Sequence, residues 1–289
     1  MGPRVKLIIN GDDFGKSREV NEGVIGAFRA GTLTSCSLMV TGEACDDAVR
    51  LARKYQDLAV GLHLVTVQGK AALPPGEIPL LVDRKGHFPD NPTYAGLRYY
   101  CSKAARKQLV RELAAQFERF HATGLKLSHV DSHLHMHVHP VIFVAALDLA
   151  ESCRVNTMRV PRDDLRLAVR FQKKGLAARA VMAAVFRGLT RRMKKDLTAR
   201  GFFFPERVYG HFMSGAMSLD YILFVLDQLS AATNEIYFHP ALAQGAGHSR
   251  GDRQQMSEFS ALTSRALQER LQDPGIELTN YFELAGRAC

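Results

Sequence analysis

Several marks of common protein classes are missing from this chain, and their absence narrows its reading before any motif is considered. Its five cysteines, Cys36, Cys45, Cys101, Cys153 and Cys289, are odd in number, widely spaced and never arranged as C-x-x-C. That pattern indicates neither a disulfide framework nor a zinc knuckle, and it makes a reducing cytoplasm the default compartment. The apolar run in "MGPRVKLIIN" is too short for a signal peptide. No uncharged apolar stretch is long enough to span a bilayer. Neither a G-x-S-x-G elbow nor a Walker A loop appears, so serine hydrolysis and P-loop chemistry recede. Acid is also scarce in one place: residues 165–200 hold eleven Lys or Arg against the single acid Asp196. The formal charge of +9 therefore belongs to that segment, and the rest of the chain is slightly acidic.

The 289 residues, 46% hydrophobic and 23% charged, fit a soluble globular enzyme with one barrel-sized domain or two smaller ones. Short apolar runs read as strands: "VKLIIN", "SCSLMV", "LAVGLHL", residues 126–130, "NTMRV" and "EIYFHP". Helical patterns cover 19–30, 46–54, 103–121, 141–151, 219–229 and 257–271. The Pro and Gly content of 67–100 predicts a long excursion, a lid or substrate loop. Repeated β-then-α order predicts a parallel sheet with helices outside, as a closed barrel or an open doubly wound sheet. Both architectures put their chemistry at the C-terminal ends of strands.

Polar clusters stand at four such ends. The first strand runs into Gly11-Asp12-Asp13-Phe14-Gly15, the third contains His63, and the last clear one ends at His239-Pro240. Between them "LSHVDSHLHMHVHP" holds five of the eleven histidines, with Asp131 between the first two. A period of two at its start predicts a short strand followed by a loop carrying the imidazoles. An aspartate among imidazoles at a strand end is a common way to build a metal site. Taken singly, the acids make a solvated turn with a helix cap and each histidine a hydrogen-bonded structural residue; four clusters together favour a shared site. A carboxylate with two imidazoles leaves open coordination positions for water and substrate, as metal-assisted hydrolysis requires. Of the adjacent acids Asp12 and Asp13, one can bind the ion while the other accepts a proton, and a histidine across the site can protonate a departing amine.

In order, "NGDDFG", "GLHL", "HVDSHLHMH" and "YFHP" resemble the motifs of the YdjC-like carbohydrate deacetylases, from the N-terminus to about Ala241. The resemblance implies a TIM-barrel-like fold and metal-dependent removal of an acetyl group from an N-acetylated sugar. It implies Asp13, His63 and His133 as metal ligands, Asp12 as general base and His239 as general acid, around one divalent ion taken in the family to be magnesium. Ligand softness alone favours zinc or another transition ion. "GKAALPPGEIPLLVD", "MRVPR", "MSGAM" and "EIYFHPA" are most similar to the hopanoid-associated branch, whose implied substrate is an N-acetylglucosaminyl lipid. Asp131-Ser132-His133 instead carries the spelling of the wider family.

The reading is one domain over 1–289, in which the segment 165–205 predicts a basic helical insertion. Leu176, Met182, Val185, Phe186, Leu189 and Met193 are interleaved with Arg and Lys. That pattern suits either a peripheral helix on an anionic inner-membrane face, or an insertion with a buried apolar stripe. No nucleic-acid motif accompanies the charge. Arg159 and Arg162 are candidates to hold Asp12 ionised or to bind a sugar hydroxyl, with surface ion pairing as the alternative, and His135 is a further substrate-binding candidate. Two rivals remain. One is a two-metal phosphoesterase or amidohydrolase using His133 and His135 as an H-x-H pair; the other is a non-catalytic metal- or membrane-binding protein.

Overall fold

β1 (Val5–Phe14) is the central strand, buried on both faces from Leu7 onward, which is why its apolar run shows no alternation. The computed structural model describes residues 4–242 and 250–286. α1 (Arg18–Arg29) begins at Ser17, whose hydroxyl accepts the N–H of Val20, and gives way at Gly31, with φ of 76°. There follow β2 (Ser35–Leu38), α2 (Cys45–Lys54), β3 (Ala59–Leu64), α3 (Pro92–Cys101) and α4 (Lys103–Ala122). β4 (Val130–Ser132) passes into a 3-10 turn, His133–Val138, and then α5 (Pro140–Ser152), α6 (Leu165–Phe171) and α7 (Leu176–Ala199). β5 (Arg207–Tyr209), α8 (Leu219–Leu226), β6 (Thr233–Phe238), α9 (Arg250–Leu262), α10 (Arg265–Leu271), β7 (Ile276–Leu278) and α11 (Tyr281–Leu284) complete the order.

The strands are all parallel, in the order β4-β3-β2-β1-β6-β5. β7 takes the first residues of β1, Val5 to Leu7, while β2 takes Asn10 to Phe14 on that same edge. The two outer strands are bridged by residues 156–162: Val130 N–H donates to Thr157 O, Met158 N–H to Phe203 O, and Val208 N–H to Arg162 O. The sheet is therefore curled into an irregular TIM-barrel-like α/β fold rather than an open doubly wound one.

Local differences from the sequence reading have physical causes. "NTMRV" forms isolated bridges rather than a ladder, because Met158 meets only Val130 of the three-residue β4 and Thr157 meets Phe203, which lies outside any strand. The pairing expected over 126–130 begins as a strand only at Val130. β1 runs four residues past Asn10 and so includes both aspartates. The helix expected over 257–271 is two, broken where Ser264 caps α10 by accepting the N–H of Leu267. The segment 67–100 contains α3 and is tied down by α4: Glu112 accepts the N–H groups of Ala72 and Leu73, and Gln116 pairs with both backbone groups of Val65. In α7, Met193 and Leu197 are buried, and Met182, Phe186 and Leu189 pack on the core. Leu176, Val181 and Val185 are exposed. Among the described residues no helix is long and apolar enough to cross a membrane.

Candidate metal centre and active site

At the C-terminal end of β1 the backbone departs from strand geometry. Asp13 adopts φ of 64°, an unfavourable region for a residue with a Cβ, and the register against β2 slips between Gly11 and Phe14. The departure gives the adjacent carboxylates different surroundings. Gly15, with φ of 92°, continues the turn, donating its N–H to Asn21 Oδ1 at 2.7 Å. Its carbonyl would lie 2.2 Å from any Cβ at Gly42, so the turn rests on a glycine neighbour.

Asp13, His63 and His133 converge there from β1, β3 and the 3-10 turn. Asp13 Oδ1 lies 2.8 Å from His133 Nδ1 and 3.3 Å from His63 Nε2, and one ligand atom from each residue lies within 4.8 Å of the others. His63 turns its other nitrogen, Nδ1, to Asp131 Oδ1 at 2.8 Å. A carboxylate behind a histidine in this way fixes the ring and its tautomer. Asp12, His63 and Asp131 form a second grouping of the same reach. There, however, the guanidinium of Arg159 already binds Asp12 and Asp131, and its repulsion disfavours a cation. The first grouping is the better cradle.

Charge also favours a cation at the first grouping. Asp12, Asp13, Asp131 and Glu235 are buried together, faced by Arg159 and by Lys16, whose Nζ is 2.8 Å from Asp13 Oδ2. Burial alone would raise the Asp13 pKa, but His133, His63 and Lys16 hold it well below the usual range. Burial opposes charge on His63 too; the Asp131 and Asp13 carboxylates nevertheless push it up to about 10. The pocket is thus built for positive charge, and one oxygen with two nitrogens suits a divalent ion.

Arg159 organises the floor of the site. Fully buried, it grips Asp12 through both terminal nitrogens at 2.7 and 2.8 Å, reaches Asp131 Oδ2 at 2.7 Å, and binds Glu235 Oε1 through Nε at 2.9 Å and Nη2 at 2.6 Å. These contacts occupy its fork and leave no donor for a sugar hydroxyl. Asn10 adds a hydrogen bond to Asp12 Oδ1 at 2.8 Å, and Tyr281 donates to Glu235 Oε2 at 2.5 Å. Since Gly11 pairs with Phe238, His239 follows at the level of Asp12 on the neighbouring strand. Its ring is 23% exposed, borders Tyr237 at 5.7 Å, and has Glu258 Oε2 4.0 Å from Nδ1. Glu258 also accepts the His239 backbone N–H at 2.6 Å.

The remaining imidazoles divide by neighbourhood. His135 belongs to neither ligand grouping; its Nε2 lies 3.1 Å from the Tyr237 hydroxyl, and its ring meets Phe186 edge-on and His211 at a tilt. The H-x-H pairing of His133 with His135 is therefore not assembled. Burial holds His129 neutral, at about 3, between Ser37 and Ser128, with its ring on Tyr281. His137 is pushed down to about 4 by burial and spans Ser132 and the Arg159 carbonyl. Arg162 stands apart, exposed, in a separate cavity.

The profile of the family described as "YdjC-like protein" matches residues 6–273. The chain belongs to the YdjC-like family. A protein from Brevibacillus brevis named carbohydrate deacetylase is 34% identical over 97% of this chain and 100% of its own length. One from Escherichia fergusonii named chitooligosaccharide deacetylase is 31% identical over 96% of this chain and 98% of its own length. A crystal structure from Enterococcus faecalis V583, provisionally described as a cellobiose-phosphate cleavage protein, superposes with a TM-score of 0.74 at 27% identity. It covers 97% of this chain and 99% of that one.

Within this YdjC-like site several residues had escaped the sequence reading. Asp131, read with the histidines as material for a metal site, stands behind His63 and on Arg159. Glu235 and Tyr237 lay inside an apolar strand, where an acid at a buried position was the available clue. Lys16 stands only three residues past Asp13, whereas Glu258 is brought to His239 by the fold.

Proposed function

We propose that this protein hydrolyses the acetamido group of an N-acetylated sugar with the help of one divalent ion. The observation that carries the reading is the meeting of Asp13, His63 and His133, with the carboxylate of Asp12, held by Arg159 and Asn10, beside them. The names of full-length relatives support the reaction class. A cation held by Asp13, His63 and His133 supplies, when bound, polarisation of the amide carbonyl and a more acidic water.

Asp12, oriented by Arg159 and Asn10, accepts the proton of the attacking water. The water oxygen bonds to the carbonyl carbon, the C–N bond breaks, and acetate leaves. His239, the partly exposed imidazole with Glu258 behind it, donates the proton that lets nitrogen depart as an amine. Asp12→Asn is expected to keep metal affinity while acetate release falls about 10²- to 10⁴-fold. Full turnover by that variant would refute the assignment of the base.

Magnesium is the ion supported by resemblance, although two nitrogen donors also suit zinc. For the substrate, the motif likeness supports an N-acetylglucosaminyl lipid of hopanoid type, and the relatives' names support a chito-oligosaccharide-like sugar. A cytoplasmic enzyme touching the inner membrane face through 165–200 fits the lipid reading; exposed Leu176, Val181 and Val185 beside basic residues support that contact. Purified protein would be incubated with each compound under Mg²⁺ and Zn²⁺ and released acetate measured. No acetate from either compound under either ion would sink the deacetylase reading.

A further inference from the structure

A second concentration of positive charge lies outside the ligand cluster. A cavity of about 510 Å³ opens between β5, residues 161–166 and α7, and Arg162, Arg166, Arg187 and Arg207 all line it. Arg207 comes from β5, Arg187 from α7, and the other two from the chain entering α6, so three separate stretches bring guanidinium groups to one hollow. None of the four makes an ion pair or a side-chain hydrogen bond with another described residue.

The acids of the same hollow are otherwise engaged. Asp163 accepts the N–H groups of Gly210 at 3.3 Å and Phe212 at 2.9 Å on Oδ2, and that of Asp164 at 2.7 Å on Oδ1. Asp164 caps α6 by accepting the Arg166 N–H at 2.9 Å. Burial and the nearby charges of Arg207 and Arg187 push the Arg162 pKa down, with Glu206 opposing. Crowded guanidinium groups that outnumber the acids around them and make no ion pair with a described residue form an anion site. Their planar forks match the oxygens of a phosphate.

We propose that this hollow binds a phosphate oxyanion, carried either by the substrate itself or by a lipid headgroup. The hollow is close to the chemistry: Phe186 and His211 line it and also pack on His135, at 6.3 and 5.2 Å between ring centroids. His135 in turn meets Tyr237, the neighbour of His239, so a layer of rings separates the hollow from the reaction centre. Only the clause that places the phosphate on the substrate rests on the deacetylase reading.

Calorimetric titration of the whole protein with pyrophosphate at low salt tests the site. Saturable binding is expected, weakened at least about tenfold in Arg162→Gln/Arg207→Gln. It should be kept in Arg191→Gln/Lys195→Gln, which removes equal charge from exposed positions of α7 outside the hollow. No saturable binding by the parent protein, or equal loss in both variants, overturns the proposal. Co-sedimentation with phosphatidylglycerol vesicles then identifies the source. If the hollow variant loses vesicle binding as well, and pyrophosphate competes for it, the phosphate is a headgroup; if only pyrophosphate binding is lost, it is soluble. Acetate release from a neutral sugar is scored separately, so failure of one reading is visible without the other.

Discussion

Asp131 stands behind His63, at 2.8 Å from its Nδ1, and not in the grouping of Asp13, His63 and His133. Its carboxylate would keep a ring proton on Nδ1 while an ion takes the Nε2 lone pair. In Asp131→Asn the amide can donate to Nδ1 instead, placing the ring proton on Nε2. Metal affinity is expected to fall about 10- to 100-fold, read by calorimetry; unchanged affinity would remove His63 from the ligand set. His129 and His137 illustrate the opposite kind of imidazole. Their pKa values, pushed by burial to about 3 and about 4, lie below the ordinary 6.5. An unfolded chain therefore takes up these protons first, so the stability they contribute is present above pH 6.5 and is lost as pH falls toward 4 and 3. Nitrogen-15 spectra at pH 5.5 should show both rings neutral, and an imidazolium signal from either would contradict its burial. Why the sequence could not separate these rings from His63 and His133 is plain at this scale: identical side chains differ only in what surrounds them.

Elements carried more of their own information. The 3.6-residue spacing of Leu109, Leu113, Phe117 and Phe120 was enough to read α4, because its buried stripe lies within one helix. β3 was legible as an apolar run, but the reason for its glycine was not. A Cβ at Gly61 would stand 2.3 to 2.6 Å from the His129 ring, itself stacked on Tyr281 at 3.7 Å. Neither the strand nor the wedged ring can retreat, so Gly61→Ala should cost about 1–3 kcal/mol in urea unfolding. Adding His129→Ala should recover part of that loss; an unchanged midpoint in the single variant would show that the ring has room. "NTMRV" was misread for a related reason: ladder formation depends on the length of its neighbours, which its own residues do not encode.

The parallel, curled sheet makes one site out of strand ends that are distant in sequence. Because β1, β2, β3 and β4 are parallel neighbours in the sheet, Asp13, His63 and the turn after Ser132 emerge at the same end. Asp12, Asp13, Asp131 and Glu235 are buried there together, and an ion held by Asp13, His63 and His133 would tie three separate chain segments to one another. Saturation at about 100 times the dissociation constant should add about 2.7 kcal/mol to folding stability. Thermal melts with added Mg²⁺ or Zn²⁺ should therefore move up, and a chelator should reverse the shift. Midpoints insensitive to both ions would mean that the cluster holds no cation.

By itself the sequence determined the alternation of strand and helix, the polar clusters at four strand ends, and the basic segment, since each is written in local periodicity or composition. Tertiary structure alone decided which histidines face the site, that Arg159 belongs to Asp12 and Arg162 to another cavity, and that Glu235 and Glu258 stand behind functional groups. Those choices depend on burial and on pairing across more than a hundred residues. Such contacts follow from how the sheet curls, which short-range pattern does not specify.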